Sequence, residues 1–294
     1  MSRNTLRADL LMLVTAMIWG TVFIAQRYGM EHIGPFLFSG TRFLLAAFVL
    51  LPLFFWRPFT GAFKAPMSRG LFAGGAAMGL ALAIGINLQQ VGLLFTSVTN
   101  AGFITGLYVI MVPIIGLFFG QRTGFGTWLG ALTAVVGMAL LSIGPDFAIS
   151  KGDWLQLTGA VVWGAHVLLV GFFASRYDPL RLAIIQFAVC GLISMVLALS
   201  LESIALEPLT QALPAIAYGA LLGVGVGFTL QVIAQRDAIA SHAAVIFSLE
   251  AVFAAIAGAI FLGESLSAKG YIGCALMLAG MLIAQLWPQK KLNA

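Results

Sequence analysis

Two ionisable side chains stand where charge is costly: Arg42 and Glu250, each deep inside an apolar run. At 1.5 Å per helical residue, both lie roughly 12–14 Å below the same boundary of a hydrocarbon core about 30 Å thick. An isolated charge at that depth costs several kcal/mol, so each should face the protein interior and find a partner. Opposite charges at one depth predict that Arg42 and Glu250 pair. Such a pair fits two kinds of chemistry, a structural clamp between helices or a substrate contact or proton site. The sequence leaves both open.

Neutral polar and aromatic residues recur at helical spacing around that depth. Thr15, Trp19 and Gln26 share one face of the first apolar run, and Trp163 and His166 share a face of the sixth. The third run carries Asn87 and Gln90, the fourth Asn100, Thr105 and Tyr108, and the eighth Gln231 and Gln235. Amide-bearing helices in lipid turn those groups inward, which predicts a cavity. Its candidate substrate-binding residues are Trp19, Asn87, Gln90, Tyr108, Trp163, His166, Gln231 and Gln235. Aromatic faces pack apolar groups or attract an ammonium, and the amides offer neutral hydrogen bonds. A mostly neutral cavity suits zwitterionic or weakly charged small molecules. Multivalent anions such as sugar phosphates would call for several Arg or Lys residues. His166 and His242 read either as hydrogen-bonded structural residues or as proton relays, so proton coupling through Glu250 or His166 stays open beside uniport.

Catalytic constellations are missing. There is no G-x-S-x-G elbow and no His-Glu-x-x-His helix, so an intramembrane enzyme is not expected. Cys190 and Cys274 sit inside apolar runs without paired spacing, so neither a disulfide framework nor a metal site is expected, and no cofactor is implied. The basic residues are dispersed through short loops, which speaks against nucleic acid as a partner. Oligomeric state leaves no signature.

The elements that must position these groups follow from composition. With 61% hydrophobic and 9% charged residues and a mean hydropathy of +1.04, the chain cannot be a water-soluble globular domain, in which roughly a quarter of residues are charged. Runs long enough to span lie near 8–26, 34–55, 70–93, 97–119, 125–143, 153–174, 181–200, 212–235, 240–262 and 268–287. Their continuity predicts an all-α polytopic membrane protein of ten transmembrane helices, not a barrel of alternating strands. The first run has no small-residue cleavage site, so it is expected to be retained. Counting Lys and Arg by loop places Arg3, Arg7, Arg57, Lys64, Arg69, Arg122, Arg176, Arg181, Arg236, Lys290 and Lys291 on one side, against Arg27, Lys151 and Lys269 on the other. The excess stays cytoplasmic, so both termini, 1–7 and 288–294, are expected as short cytoplasmic tails. A channel or scaffold is a rival reading, which continuous pore-lining polar stripes would favour and a saturable transport rate would exclude. Every loop is too short for an independent soluble domain.

Asp9, Trp19-Gly20 and Pro35 recur 144 residues later as Asp153, Trp163-Gly164 and Pro179, and Gly120, Gly130 and Gly137 recur 143 residues later as Gly263, Gly273 and Gly280. The chain reads as a tandem duplication, 8–143 and 153–287. Each copy holds five spans, an odd number, so the second enters the membrane upside down. Inverted repeats predict alternating access. Gln186 stands opposite Arg42 and Leu107 opposite Glu250, so the copies have diverged at both charges. Gly219, Gly223 and Gly227, and Gly75 and Gly79, predict close helix contacts. Pro113 predicts a kink in the fourth span, as a gate hinge or as bundle shape.

Three stretches add a resemblance: Trp19-Gly20, Gly92-Leu-Leu-Phe-Thr-Ser-Val-Thr-Asn-Ala101, and Ser248-Leu-Glu-Ala-Val-Phe253 followed by Leu262-Gly-Glu-Ser265. Together they resemble the EamA branch of the drug/metabolite transporter superfamily, over about residues 8–287. The resemblance implies a secondary transporter of the bacterial inner membrane, a ten-helix carrier of small organic metabolites that often exports amino acids or related compounds. Uptake or exchange of another solute, such as a cofactor, nucleoside, amine or sugar, remains the alternative. It also implies a central cavity built from spans 1, 3 and 4 and their mates 6, 8 and 9, and it matches Arg42 and Glu250 by residue type. The chain departs from the family pattern at Glu250-Ala251, where Glu-Pro is common.

Overall fold

The computed structural model describes residues 3–55, 67–142, 150–263 and 267–287. Arg57, Lys64, Glu264, Ser265, Lys290, Lys291 and the tail 288–294, which entered the reading above, lie outside the described residues. The described chain is helical, without strands. In order it forms α1 (Arg3–Gly29), α2 (Pro35–Phe55), α3 (Arg69–Gly92), α4 (Val98–Gly106), α5 (Tyr108–Phe118), α6 (Phe125–Ser142), α7 (Lys151–Ala174) and α8 (Pro179–Leu201). Then come α9 (Leu206–Tyr218), a π-helical segment (Gly219–Phe228), α10 (Thr229–Gln235), α11 (Ala240–Phe247), α12 (Glu250–Phe261) and α13 (Ala268–Leu286). The pairs α4–α5 and α11–α12 and the trio α9–π–α10 each make one span. Nine spans among the described residues are long and apolar enough to cross a membrane, and the tenth, Phe125–Leu140, is a shorter apolar helix. The protein is thus a polytopic all-α membrane protein of ten helices.

Local chemistry sets the ends. Ser68, Ser97, Ser150, Asp178 and Ser267 cap α3, α4, α7, α8 and α13 by accepting from backbone N–H groups of the first turn. Ser150 and Asp153 close a full capping box, and Pro179 follows Asp178 at the first position of α8. Past α5 and α12, Gly120 and Gly263 take φ of 74° and 66°, the left-handed conformation that only glycine adopts cheaply. Two spans start earlier than the apolar runs suggest. Helix α1 begins at Arg3, so residues 3–7 are helical, and α9 begins at Leu206. Backbone hydrogen bonding carries a helix past its apolar stretch, and Glu207 in the first turn of α9 suits the positive helix end.

Packing brings the spans together in pairs: α2 lies along α8, α6 along α13, α3 along α7, and α1 along α12 and the π segment. At the α6–α13 crossing the backbones touch. A Cβ added to Gly130 would stand 2.5 Å from the Gly280 carbonyl oxygen, and one added to Gly280 would stand 2.5 Å from that of Gly130. Large apolar side chains such as Phe48, Phe118 and Leu206 point outward at 72%, 85% and 76% exposure, a surface that suits lipid contact and not water. The fourth span is interrupted at Leu107, whereas Pro113 sits within α5. Leu107 N–H donates to Ile104 and Ile110 N–H to Leu107, a 3₁₀ turn. The ninth span turns the same way without a proline: Leu249 N–H donates to Ile246 and Val252 N–H to Leu249. Leu107 and Leu249 have φ/ψ of −61°/−12° and −62°/−11°.

Candidate functional site

Both turns end at the centre of the bundle, and the first residue after each faces one cavity. Tyr108 opens α5 and Glu250 opens α12, and the Tyr108 hydroxyl faces the Glu250 carboxyl group. The cavity encloses about 40 Å³ between α1, α2, α3, the fourth and eighth spans, α7 and α12. That is room for a water or two, against several hundred Å³ for a small-molecule pocket. This conformation is closed around its centre.

One wall is aromatic. Phe228 ends the π segment, with its ring centroid 4.7 Å from Trp19 and 6.1 Å from Trp163, near-parallel to the latter at 17°. Phe247 lies 5.4 Å behind Trp19. Glycine makes this approach feasible, since a Cβ on Gly227 would meet Trp19 Nε1 at 2.7 Å and one on Gly223 would meet Val22 at 2.9 Å. The indole N–H of Trp19 donates to the Gly223 carbonyl at 3.2 Å.

A second wall is polar. Arg42 is 2% exposed. Its Nη2 donates to Gln90 Oε1 at 3.3 Å. When the Gln26 amide turns its oxygen to the guanidinium, it accepts from Nη1 at 3.2 Å and Nη2 at 3.0 Å. The guanidinium carbon also stands 5.0 Å from the Phe38 ring centre and 5.4 Å from that of Phe43. Beyond Gln26, Gln89 donates to Thr105 Oγ1 at 3.3 Å, Thr105 donates to Gln156 Oε1 at 3.2 Å, and Gln156 donates to the Gln89 carbonyl at 2.9 Å. Neutral amides thus hold the cation in place.

The expected Arg42–Glu250 contact is therefore corrected. Both residues line the cavity, but they do not form an ion pair within 4.0 Å of each other; the one seen at 3.0 Å joins His242 and Asp9. Equal depth placed the two charges at one level, but the guanidinium is taken up by the amides of Gln90 and Gln26 and by the Phe38 and Phe43 rings of its own helix.

Of the eight candidate binding residues, Trp19, Tyr108, Trp163 and Gln231 line the cavity. The other four lie behind it or face elsewhere. Gln90 backs the cavity wall and holds Arg42. Asn87 turns toward α8, donating to Ser194 Oγ and to the Ala83 carbonyl, both at 2.8 Å, and lines a separate apolar groove with Leu88 and Leu197. His166 is fully buried, with Nε2 3.0 Å from Gln186 Oε1 and its ring edge-on to Trp163. Gln235 donates to the Val167 carbonyl at 2.9 Å, tying α10 to α7. Inward-facing amides do mark the interior, but a ten-helix bundle has many interiors, and helix-to-helix seams absorb these three. The reading missed Gln89 and Phe228 as lining residues. Phe228 precedes Gln231 by three residues, so it shares that face, a signal that was available.

Known proteins resemble this chain over most of its length. Residues 6–143 and 150–285 each match the EamA-like transporter family. An uncharacterised transporter of Archaeoglobus fulgidus is 32% identical over 96% of this chain and 86% of its own length. A Salmonella typhimurium protein named "Probable amino-acid metabolite efflux pump" is 25% identical over 93% of each chain. A crystal structure of another protein, 18% identical, superposes with a TM-score of 0.79 over 96% of this chain and 99% of that one, which concerns the fold alone.

Proposed function

The chain belongs to the EamA-like transporter family, and on that premise we propose that it exports a small amino-acid-like metabolite across the inner membrane by alternating access. It is a membrane transporter; substrate, direction and mechanism are this reading. The observation that carries it is the central cavity, to which spans from both halves of the chain contribute aromatic faces and neutral amides. An amphipathic solute with polar ends and an apolar body fits that lining. The efflux pump named above points the same way.

Alternating access draws support from the paired geometry. The turns at Leu107 and Leu249, the left-handed glycines Gly120 and Gly263, and the reciprocal Gly130–Gly280 contact all relate the proposed repeats 8–143 and 153–287. A closed centre of about 40 Å³ must open to admit a metabolite, so helices have to part. By the loop charges we place both termini in the cytoplasm. Counterflow in proteoliposomes tests the reading, with radiolabelled neutral amino acids and a competitor panel of nucleosides, amines and sugars. Saturable exchange of the amino acids is expected. Folded protein that exchanges none of these classes would overturn the carrier assignment.

A further inference from the structure

Hydrogen-bonding capacity around the cavity is left over at specific atoms. Arg42 Nε, Trp163 Nε1, Tyr108 Oη, Gln231 Oε1 and Glu250 Oε1 are buried without a hydrogen-bond partner, and all five residues line the same space. Buried polar groups are ordinarily satisfied; the Tyr108 hydroxyl and the Glu250 carboxyl group face each other, and the capacity left at Arg42, Trp163, Gln231 and the rest of the Glu250 carboxyl group describes the ligand that would complete it. These groups are of two kinds. Arg42 and Trp163 have only donors to offer, and Gln231 Oε1 and an ionised Glu250 only acceptors.

Charge sharpens the description. Among the described residues, Arg42 carries a cation held by amides and ring faces with no carboxylate within 4.0 Å, and Glu250 has no Arg, Lys or His that close. A lone anion would satisfy the first and be repelled by the second; a lone cation would do the reverse. A molecule with both charges compensates both poles and brings no net charge into the membrane interior.

Resting on the carrier reading above, we infer that Arg42 and Glu250 are separate subsites that take the carboxylate and the ammonium of one zwitterionic solute, whose apolar part lies against Trp19, Phe228 and Trp163. The two ionisable groups left without each other are the recognition elements. Charge-assisted hydrogen bonds are about twice as strong as neutral ones, so losing either pole is expected to weaken binding roughly 10- to 100-fold.

Competition against counterflow of radiolabelled L-leucine, L-phenylalanine or L-serine tests this. Each amino acid is compared with its methyl ester, which keeps the ammonium, and its N-acetyl derivative, which keeps the carboxylate. In the unaltered protein the intact zwitterion is expected to compete at least about tenfold better than either derivative. R42Q should erase the disadvantage of the ester, and E250Q that of the N-acetyl compound. Derivatives that compete as well as the parent overturn the inference, as do variants that weaken all three by one factor. The unaltered protein decides the first point should R42Q not fold, and R42K, which keeps the charge, should retain the preference for zwitterions. Saturable exchange restricted to nucleosides or sugars would overturn the two-pole assignment and leave the carrier standing. Folded protein with no exchange at all would overturn the carrier reading itself.

Discussion

Trp19 and Trp163 stand 144 residues apart in matching sequence contexts, yet their indole nitrogens are used differently. Trp19 Nε1 donates to the Gly223 carbonyl at 3.2 Å, whereas Trp163 Nε1 is buried without a partner. Replacement by Phe removes similar volume at both sites, so the difference between the two variants isolates the hydrogen bond. W19F is expected to lose about 1 kcal/mol more stability than W163F, within the range measured for hydrogen bonds between membrane helices. Thermal unfolding of the purified protein in one detergent reads this, and equal losses would mean that the Trp19 bond contributes nothing. Spacing made both tryptophans legible in the sequence, because each lies too deep for an interfacial belt. What each nitrogen meets was not legible: that depends on a carbonyl in the π segment some two hundred residues away. For the same reason the direct contact between Arg42 and Glu250 was misjudged. Sequence gives depth along a helix, whereas contact depends on azimuth and on the amides of Gln26 and Gln90.

At the scale of elements, the packing of α6 on α13 depends on glycine at the point of contact. A Cβ on Gly130 would press on the Gly280 carbonyl oxygen at 2.5 Å and on the Ala284 backbone nitrogen at 3.0 Å, and backbone atoms cannot swing aside. G130A is therefore expected to cost about 1–3 kcal/mol, the usual range for overpacking. Gly124, just before α6, has nothing within 4 Å of the same added atom, so G124A serves as the control and should unfold close to the parent temperature. Similar unfolding of both variants would refute the crossing as described. Apolar runs made the ten spans legible, and the glycine repeats foretold close contact. The interruptions were not. Pro113 drew attention to the fourth span, but the 3₁₀ turn lies at Leu107 and recurs at Leu249 with no proline nearby. Tertiary packing sets such turns, and residue types there, Leu in both cases, give no warning. A sequence offset of 143 places Leu107 opposite Glu250; the turns instead match Leu107 with Leu249, and so Tyr108 with Glu250.

Across the whole molecule, two carboxylates 144 residues apart hold opposite ends of the bundle. Asp9 near the start of α1 accepts from Gln285 at 3.0 Å and meets His242 Nε2 at 3.0 Å, joining α1 to α11 and α13. Asp153 near the start of α7 accepts from Thr96 Oγ1 at 2.6 Å, joining α7 to the entry of α4. The two clusters lie at different ends. Near Asp153 the cavity-side Gln156 reaches the C-terminal turn of α3 at Gln89, and Arg27, from the end of α1 remote from Asp9, donates to the Leu93 carbonyl just beyond that turn. On the inverted-repeat reading these contacts are equivalent latches, each closing one side of the central cavity. Removing one should then let the bundle open on its own side and nowhere else. The reporter is Val224→Cys, a cavity-lining position that is 1% exposed, placed in a background with Cys190 and Cys274 replaced by Ala. D9N is expected to raise its labelling severalfold by an impermeant thiol reagent applied from the cytoplasmic side, and D153N by reagent applied from the opposite side. Asn keeps the size of Asp and loses its charge, so packing is disturbed little while the charge-assisted hydrogen bond is weakened. Should both variants raise labelling from the same side, the carboxylates would not be counterparts. The shared Asp-Trp-Gly-Pro pattern would then mark common ancestry of the two halves without a shared role in the transport cycle.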